Sequence, residues 1–282
     1  MATETMLTDF TCTSLLVPYL APIDIARLEC VCRELRNTLD SDLVWGRFVP
    51  RSTAKVVRLN DEQAPTKKRI FTVLCKPFLL EETLAYWLNP GTGGVCCSLA
   101  ARGLGIDWGS DRRYWSWGPQ NGARWPEVAC LEEVWWFHAR GNIKCLLPKG
   151  AYTLSWRIQY RRKCSGWTTL PVTFRLSMSD GSQATTSHRY LGNRLRNGPD
   201  QNSLDDLTPV RQVERWLEFD VGEVVVTDEE KETSLEFSMR ETACGTLKSG
   251  VVLDGVVLRP TSLTRVTGRY GNSSGRFVVK RR

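Results

Sequence analysis

Long apolar runs are what this chain most clearly lacks. No stretch approaches the roughly 20 residues a helix needs to cross a bilayer, so no membrane span is expected. Histidine is nearly absent too: His138 and His188 are the two in 282 residues, which leaves little imidazole for metal ligation or acid–base work. The ten cysteines include no C-x-x-C pair and sit mostly inside apolar runs. They read as reduced, small hydrophobes, with neither a zinc site nor a disulfide framework expected. A G-x-S-x-G elbow, a phosphate-cradling glycine loop and a His-Glu-x-x-His pair are all missing. Glu132, Glu133, Glu236 and Glu241 are carboxylates of the kind that flank a scissile sugar bond, but no spacing selects a pair. Neither intrinsic catalysis nor a cofactor is expected. The opening MATETMLTDF carries Glu4 and Asp9 with no basic or apolar signal region, so a cytosolic or nuclear protein is expected.

Acidic residues are missing from one end. Arg265, Arg269, Arg276, Lys280, Arg281 and Arg282 all follow Pro260 with no acid among them, and they account for most of the formal charge of +7. Glycines and serines between the charges mark 261–282 as a solvated tail. Nucleic-acid contact through it is expected to be weak and non-specific.

What is present begins with helical spacing over residues 7–50. Asp9 can cap a first segment carrying Leu15, Leu16 and Leu20, which Pro18 ends or kinks. Pro22 suits the first turn of a second helix, on which Ile25, Leu28, Cys32, Leu35 and Leu39 form one stripe. A third segment after Asp40 or Ser41 brings Leu43, Val44, Trp45 and Phe48. Some forty residues can hardly close over that much apolar surface, so the unit either caps its neighbour or docks on a partner. Residues 51–68 mix charges around Pro65 and read as a linker, followed by a short helix near Arg69 to Cys75.

Beyond it, two-residue alternation repeats. It is clearest over residues 151–160, where Tyr152, Leu154, Trp156, Ile158 and Tyr160 alternate with Thr153, Ser155, Arg157 and Gln159, one face inward and one outward. Further strands are expected near Val134, Val172–Met178, Leu217–Val221 and Leu235–Met239, with more continuously apolar ones near Val95 and over Val251–Leu258, enough for an antiparallel β-sandwich. Residues 179–215 read as a long connection, weakly periodic and rich in Ser, Gly, Asn and Asp.

Between the helices and most of these strands lies GVCCSLAARGLGIDWGSDRRYWSW, residues 94–117, with Trp108, Tyr114, Trp115 and Trp117 around the turn Gly109-Ser110-Asp111. Indoles beside a polar turn suit a pyranose, whose apolar face stacks while polar groups take its hydroxyls; the alternative is that they are core tryptophans. The stretch resembles the signature of the phloem protein 2 lectins related to the tobacco agglutinin. The resemblance rests on Cys96-Cys97-Ser98-Leu99-Ala100-Ala101-Arg102, Ile106-Asp107-Trp108-Gly109 and Arg113-Tyr114-Trp115-Ser116-Trp117. Arg124-Trp125-Pro126-Glu127, Trp216-Leu217-Glu218-Phe219 and Lys248-Ser249-Gly250 follow in the family's order, so it covers about 67–260.

That resemblance implies a jelly-roll sandwich over 69–260. It also implies a carbohydrate site in which Trp108 and Trp115 stack and two glutamates contact the ligand. The glutamates fall on Glu241 and on Ser234, with Glu236 a substitute two residues along. Glu241 is usable only if its strand ends or bulges before it.

Residues 7–50 in turn resemble an F-box, through Leu20-Ala21-Pro22-Ile23-Asp24-Ile25-Ala26-Arg27-Leu28, Val31-Cys32-Arg33 and Ser41-Asp42-Leu43-Val44-Trp45; the family's early Leu-Pro pair is Leu7-Thr8 here. This resemblance implies docking on a Skp-type adaptor, and through it a cullin, by Leu7, Leu20, Pro22, Ile25, Leu28, Cys32, Leu35 and Trp45. The expected fold is thus α+β but mainly β, a three-helix F-box followed by the sandwich. The expected function is a non-catalytic adaptor of a ubiquitin ligase that recognises glycoproteins. The alternative is that the sandwich binds a protein surface.

Overall fold

The computed structural model describes residues 15–50, 65–191, 210–213, 216–228 and 231–261. The chain divides into two units, Met1–Phe78 with Trp87–Cys96, and Leu79–Tyr86 with Cys97–Arg282.

The first unit is built from the helices Pro22–Leu28, Arg33–Leu39, Asp42–Trp45 and Lys67–Leu74. The stripe expected on one helix is carried by two. Cys32 is extended (φ −151°, ψ 167°), and its Sγ accepts the N–H of Leu35 at 3.4 Å, which caps a new helix. Arg36 braces the corner by donating Nε to the carbonyl of Glu29 at 3.1 Å. Ile25 and Leu39 nonetheless lose all solvent contact.

Part of the apolar surface that three short helices leave open, around Trp45 and Phe48, is covered by the fourth, Lys67–Leu74. The family resemblance assigns this helix to the second domain, yet it groups with the N-terminal helices. Phe71 stands 5.3 Å from the ring of Trp45 and 6.0 Å from that of Phe48. Lys68 bonds Glu29 at 2.8 Å and Asp40 at 2.9 Å, and lies 5.4 Å from the Trp45 ring. Burial alone lowers the affinity of Lys68 for its proton, but its two carboxylates outweigh that and raise its pKa. The turn at 89–94 belongs to the same unit. Asn89 Oδ1 accepts the N–H groups of Gly91 and Thr92, and Gly93 (φ +74°) sits where a Cβ would strike Phe48 at 2.7 Å.

Two sheets form the sandwich. The larger runs β1 (Phe78–Glu81), β2 (Leu84–Leu88), β3 (Val95–Ala100), β14 (Ser249–Pro260), β8 (Gly150–Ser165), β12 (Trp216–Val226) and β11 (Val210–Val213). β5 (Trp115–Gly118) pairs with β6 (Val128–Leu131), which joins β14. The smaller sheet is β10 (Ala184–Arg189), β9 (Val172–Met178), β13 (Thr233–Glu241), β7 (Phe137–Cys145) and β4 (Gly105–Ile106). From β7 to β14 the antiparallel strands pass back and forth between the sheets, as in a jelly roll. The expected sandwich is therefore the observed one. Its core lies between the sheets, where Trp156 of β8 meets Phe237 of β13 edge to face at 5.9 Å. Burying each such large side chain contributes about 1.5–3 kcal/mol.

Two readings change. The connection 179–215 contains β10 and β11, while 192–209 lies outside the described residues. Gln183 ties the start of β10 to both backbone groups of Val225, and Ser187 donates to the carbonyl of Val221 at 3.3 Å, which draws the smaller sheet's edge onto β12. Nor does the polar row of β8 face water: Ser155 is wholly buried and Arg157 is 3% exposed. The segment between β5 and β6 lies over this row. Arg157 donates to the carbonyl of Gly122 at 2.9 Å, and Trp216 Nε1 to that of Asn121 at 3.1 Å.

Beneath that cover, Arg157, Arg124 and Arg259 converge on Glu218 at 3.1, 3.2 and 2.6 Å, and Arg157 Nε meets Asp254 at 2.7 Å. Asp254 is the extra residue of a bulge in β14, and Gly255 beside it (φ +140°) passes so close to Leu99 that a Cβ would lie 2.0 Å from its carbonyl oxygen. Burial pushes the Glu218 pKa up, but the three guanidiniums overwhelm it and hold the carboxyl far below the usual range. At Asp254 burial wins and the pKa is raised. Burial likewise lowers Arg124, to about 10.

Candidate functional site

The signature stretch folds into a tight loop on the edge of the smaller sheet. β4 pairs with β7, and the Asp107 N–H continues the ladder by donating to the carbonyl of His138 at 3.0 Å. The chain then turns. Gly109 N–H donates to Ile106, Asp111 N–H to Trp108, and the N–H groups of Tyr114 and Trp115 to Asp111. Asp111 also accepts the Arg113 N–H at 2.9 Å and its guanidinium at 2.7 Å. Its carboxyl pKa falls, first because of the Arg113 side chain.

This turn forces Trp108 to φ +54°, a conformation a bulky residue adopts only when its surroundings impose it. The result is an indole 48% exposed, its ring 5.9 Å from that of Tyr114. The Asp107 carboxylate organises the rest. Oδ2 accepts Trp136 Nε1 at 3.1 Å and lies 3.4 Å from His138 Nδ1, while Oδ1 lies 3.9 Å from Arg140. Trp136 is 41% exposed and Trp135 56%. Exposed indoles beside a carboxylate that also meets His138 and Arg140 can stack on a sugar ring and hydrogen-bond its hydroxyls.

The four residues assigned to the sugar site by resemblance separate into two pairs. Trp108 and Glu236 are at the surface. Trp115 is 2% exposed: its Nε1 donates to the Asp107 carbonyl at 3.2 Å and its ring packs 6.1 Å from Phe137, so it holds the loop from beneath and presents no stacking face. Glu241 is also enclosed, because β13 pairs without interruption to its last residue and directs that side chain inward. Its Oε1 accepts the Ala243 N–H at 2.9 Å, and Oε2 forms an ion pair with fully buried Lys248. Lys248 Nζ donates as well to the carbonyls of Trp135 at 2.9 Å and Thr246 at 3.0 Å. Glu241 therefore secures the segment that carries Trp135. Ser234 bonds Asn142 and Ser179.

Trp135, Trp136, Asp107 and His138 are the members that sequence reasoning missed. A signal was available: in extended chain adjacent side chains point to opposite faces, so a Trp-Trp pair leading into a strand puts one indole outside.

In the helical unit the docking residues also divide. Leu7 lies outside the described residues. Pro22, Ile25 and Trp45 are buried within the unit, and Leu20, Leu28, Cys32 and Leu35 are half-buried. The exposed large apolar residues are instead Leu15, Leu16, Tyr19, Ile23, Val31, Leu43 and Val73, with Leu43 88% exposed. Within the stripe, Ile25 and Leu39 are the unit's own core, while Leu28, Cys32 and Leu35 keep partial exposure.

Residues 94–260 match the family described as Phloem protein 2. F-box protein PP2-A15 of Arabidopsis thaliana is 33% identical over 266 residues, covering 88% of this chain and 86% of that protein. F-box protein PP2-A13 of the same plant is 30% identical over 267 residues, with 88% and 86% covered. Among solved structures, TmCBM61 in complex with β-1,4-galactotriose covers 56% of this chain and 86% of its own, at 11% identity and a TM-score of 0.28. Caldicellulosiruptor saccharolyticus CBM27-1 in complex with mannohexaose covers 58% and 97%, at 12% identity and 0.30.

Proposed function

The chain belongs to the phloem protein 2 family, and from that premise we propose that it is a non-catalytic adaptor of a cullin-RING ubiquitin ligase whose sandwich recognises glycoproteins. The helical unit docks on a Skp-type adaptor, and the sandwich holds the glycan of the protein to be ubiquitinated. On this reading the protein works in the cytosol or nucleus. The observation that carries the sugar reading is the exposed indole pair Trp108 and Trp136 fixed around Asp107. Docking is supported by Leu15, Leu16, Tyr19 and Leu43, an exposed apolar set on a small unit.

A glycan array with the full-length protein tests the first half. Wild type binds a defined set of oligosaccharides, and Trp108→Ala or Trp136→Ala weakens that binding by about 1–2 kcal/mol with an unchanged melting temperature. An array that stays dark while a glycan-free protein target is captured supports the alternative, a sandwich that reads a protein surface. Adaptor pull-down tests the second half. Leu43→Asp is expected to abolish it with helicity intact, whereas Ile25→Asp unfolds the helices because it buries an unpaired charge. Pull-down undiminished in Leu43→Asp would remove that face from the interface.

A further inference from the structure

The outer face of β13 carries Glu236, Ser238 and Arg240, and its neighbours on either side answer them row by row. Ser238 stands opposite Arg140 of β7 and Arg175 of β9, Glu236 opposite Asn142 and Ser177, and Arg240 opposite His138 and Thr173. These side chains line an open cavity of about 680 Å³, a volume typical of ligand sites. Neighbouring strands lie ~4.8 Å apart, so Arg140 and Arg175 straddle Ser238 roughly 10 Å from each other, with Arg240 about 7 Å further along β13. The backbone positions of three arginines thus surround a short serine, with the Arg140 side chain leaning over Gly105 toward Asp107.

Their charge is only partly answered, by Glu236 one row away on the same face. Arg140 has Asp107 at 3.9 Å with its own side chain 62% exposed, and among the described residues no carboxylate pairs with Arg175 or Arg240. Like charges facing one another across strands repel, so the arrangement favours an anion between them. The opposite end of the groove differs in kind. Glu236 accepts hydrogen bonds alone, beside an amide at Asn142 and a hydroxyl at Ser177. A ligand must therefore offer an anionic group to one end and hydroxyl donors to the other. His138 and Arg140 belong both to this groove and to the surroundings of Asp107, so the groove is continuous with the aromatic rim.

We infer that the groove binds an acidic oligosaccharide, whose uronate carboxylate sits among Arg140, Arg175 and Arg240 while its hydroxyls meet Glu236, Asn142 and Ser177. This rests on the sugar reading of the sandwich and specifies its ligand class. A phosphorylated peptide satisfies the arginines but brings no row of hydroxyls for Glu236.

Titration calorimetry of the full-length protein with tetragalacturonate, its fully methyl-esterified form and a phosphoserine peptide decides the matter. The acid is expected to bind at least tenfold more tightly than the ester, with the gap closing as salt screens the charges. Arg175→Ala and Arg240→Ala are each expected to weaken the acid about tenfold and leave the ester and the melting temperature unchanged, as for loss of one charge-assisted hydrogen bond. Equal binding of acid and ester overturns the inference and leaves the sugar reading standing. An acid preference untouched in both variants removes it from this groove. Binding of neither oligosaccharide, on a protein that also leaves the glycan array dark, sinks both readings, and preferential binding of the phosphopeptide replaces the ligand class.

Discussion

Two strands carry the same written pattern and meet opposite fates. β8 alternates apolar residues with Thr153, Ser155, Arg157 and Gln159; β13 alternates them with Ser234, Glu236, Ser238 and Arg240. In β8 the polar row is buried under the segment between β5 and β6 and neutralised by Glu218, Asp220 and Asp254. In β13 the row opens onto a groove. Alternation fixes which side chains share a face, but whether that face is wet depends on what another part of the chain lays across it. A charged residue under cover serves the fold, because its desolvation must be offset by partners; one in an open groove is free to meet a ligand.

The sharpest way to break the comparison is to remove the centre of the covered network. Glu218→Ala leaves three guanidiniums without their shared carboxylate, and the loss is expected to exceed the roughly 3–5 kcal/mol that follows from breaking one buried pair. Urea titration should show no folded baseline or a midpoint far below wild type; a midpoint within error of wild type would mean that the buried row is not structural.

Trp115→Ala should follow at about 3–5 kcal/mol, the cost of emptying a large core site, with glycan affinity changed only as far as the loop loosens. Trp108→Ala is the contrasting variant, with its effect in binding. If Trp115→Ala instead spares stability and abolishes binding, the division between covered and open indoles fails.

Acid supplies a milder test. The Glu218 pKa is depressed in the folded state, so its stabilisation is complete above its unfolded value of about 4.3 and is lost as pH falls below that. Asp254 acts with the opposite sign, since its raised pKa means that protonation relieves a cost. Melting temperature should therefore drop steeply below about pH 4 in wild type. The drop should be shallower in Glu218→Gln if that variant retains a cooperative transition, and parallel curves would count against the network as the acid-sensitive element.

The smallest stability effect belongs to the open row: Arg175→Ala and Arg240→Ala should each change unfolding free energy by less than about 0.5 kcal/mol. A large loss in either would show that the groove face is structural after all.

Much of this protein is determined by sequence alone. Alternation placed β8, β9 and β13, a continuous apolar run placed β14, and together they gave the sandwich; Pro22 marked a helix start that the structure keeps, of Asp40 and Ser41 the structure uses Ser41, and the signature stretch marked the edge loop that exposes Trp108. Those features depend on a residue's own backbone and its near neighbours, which is information a linear string contains. Tertiary structure alone decided the rest. Trp108 and Trp115 are seven residues apart and chemically identical, yet one faces water because a positive φ throws it outward, while the other packs toward Phe137, 22 residues further along the chain. The strand's period of two, legible in the sequence, separates Glu236 from Glu241, but only the tertiary structure supplies the groove before one and Lys248 beside the other. Exposure is the sum of everything packed against a side chain, and most of those atoms come from residues far away in sequence.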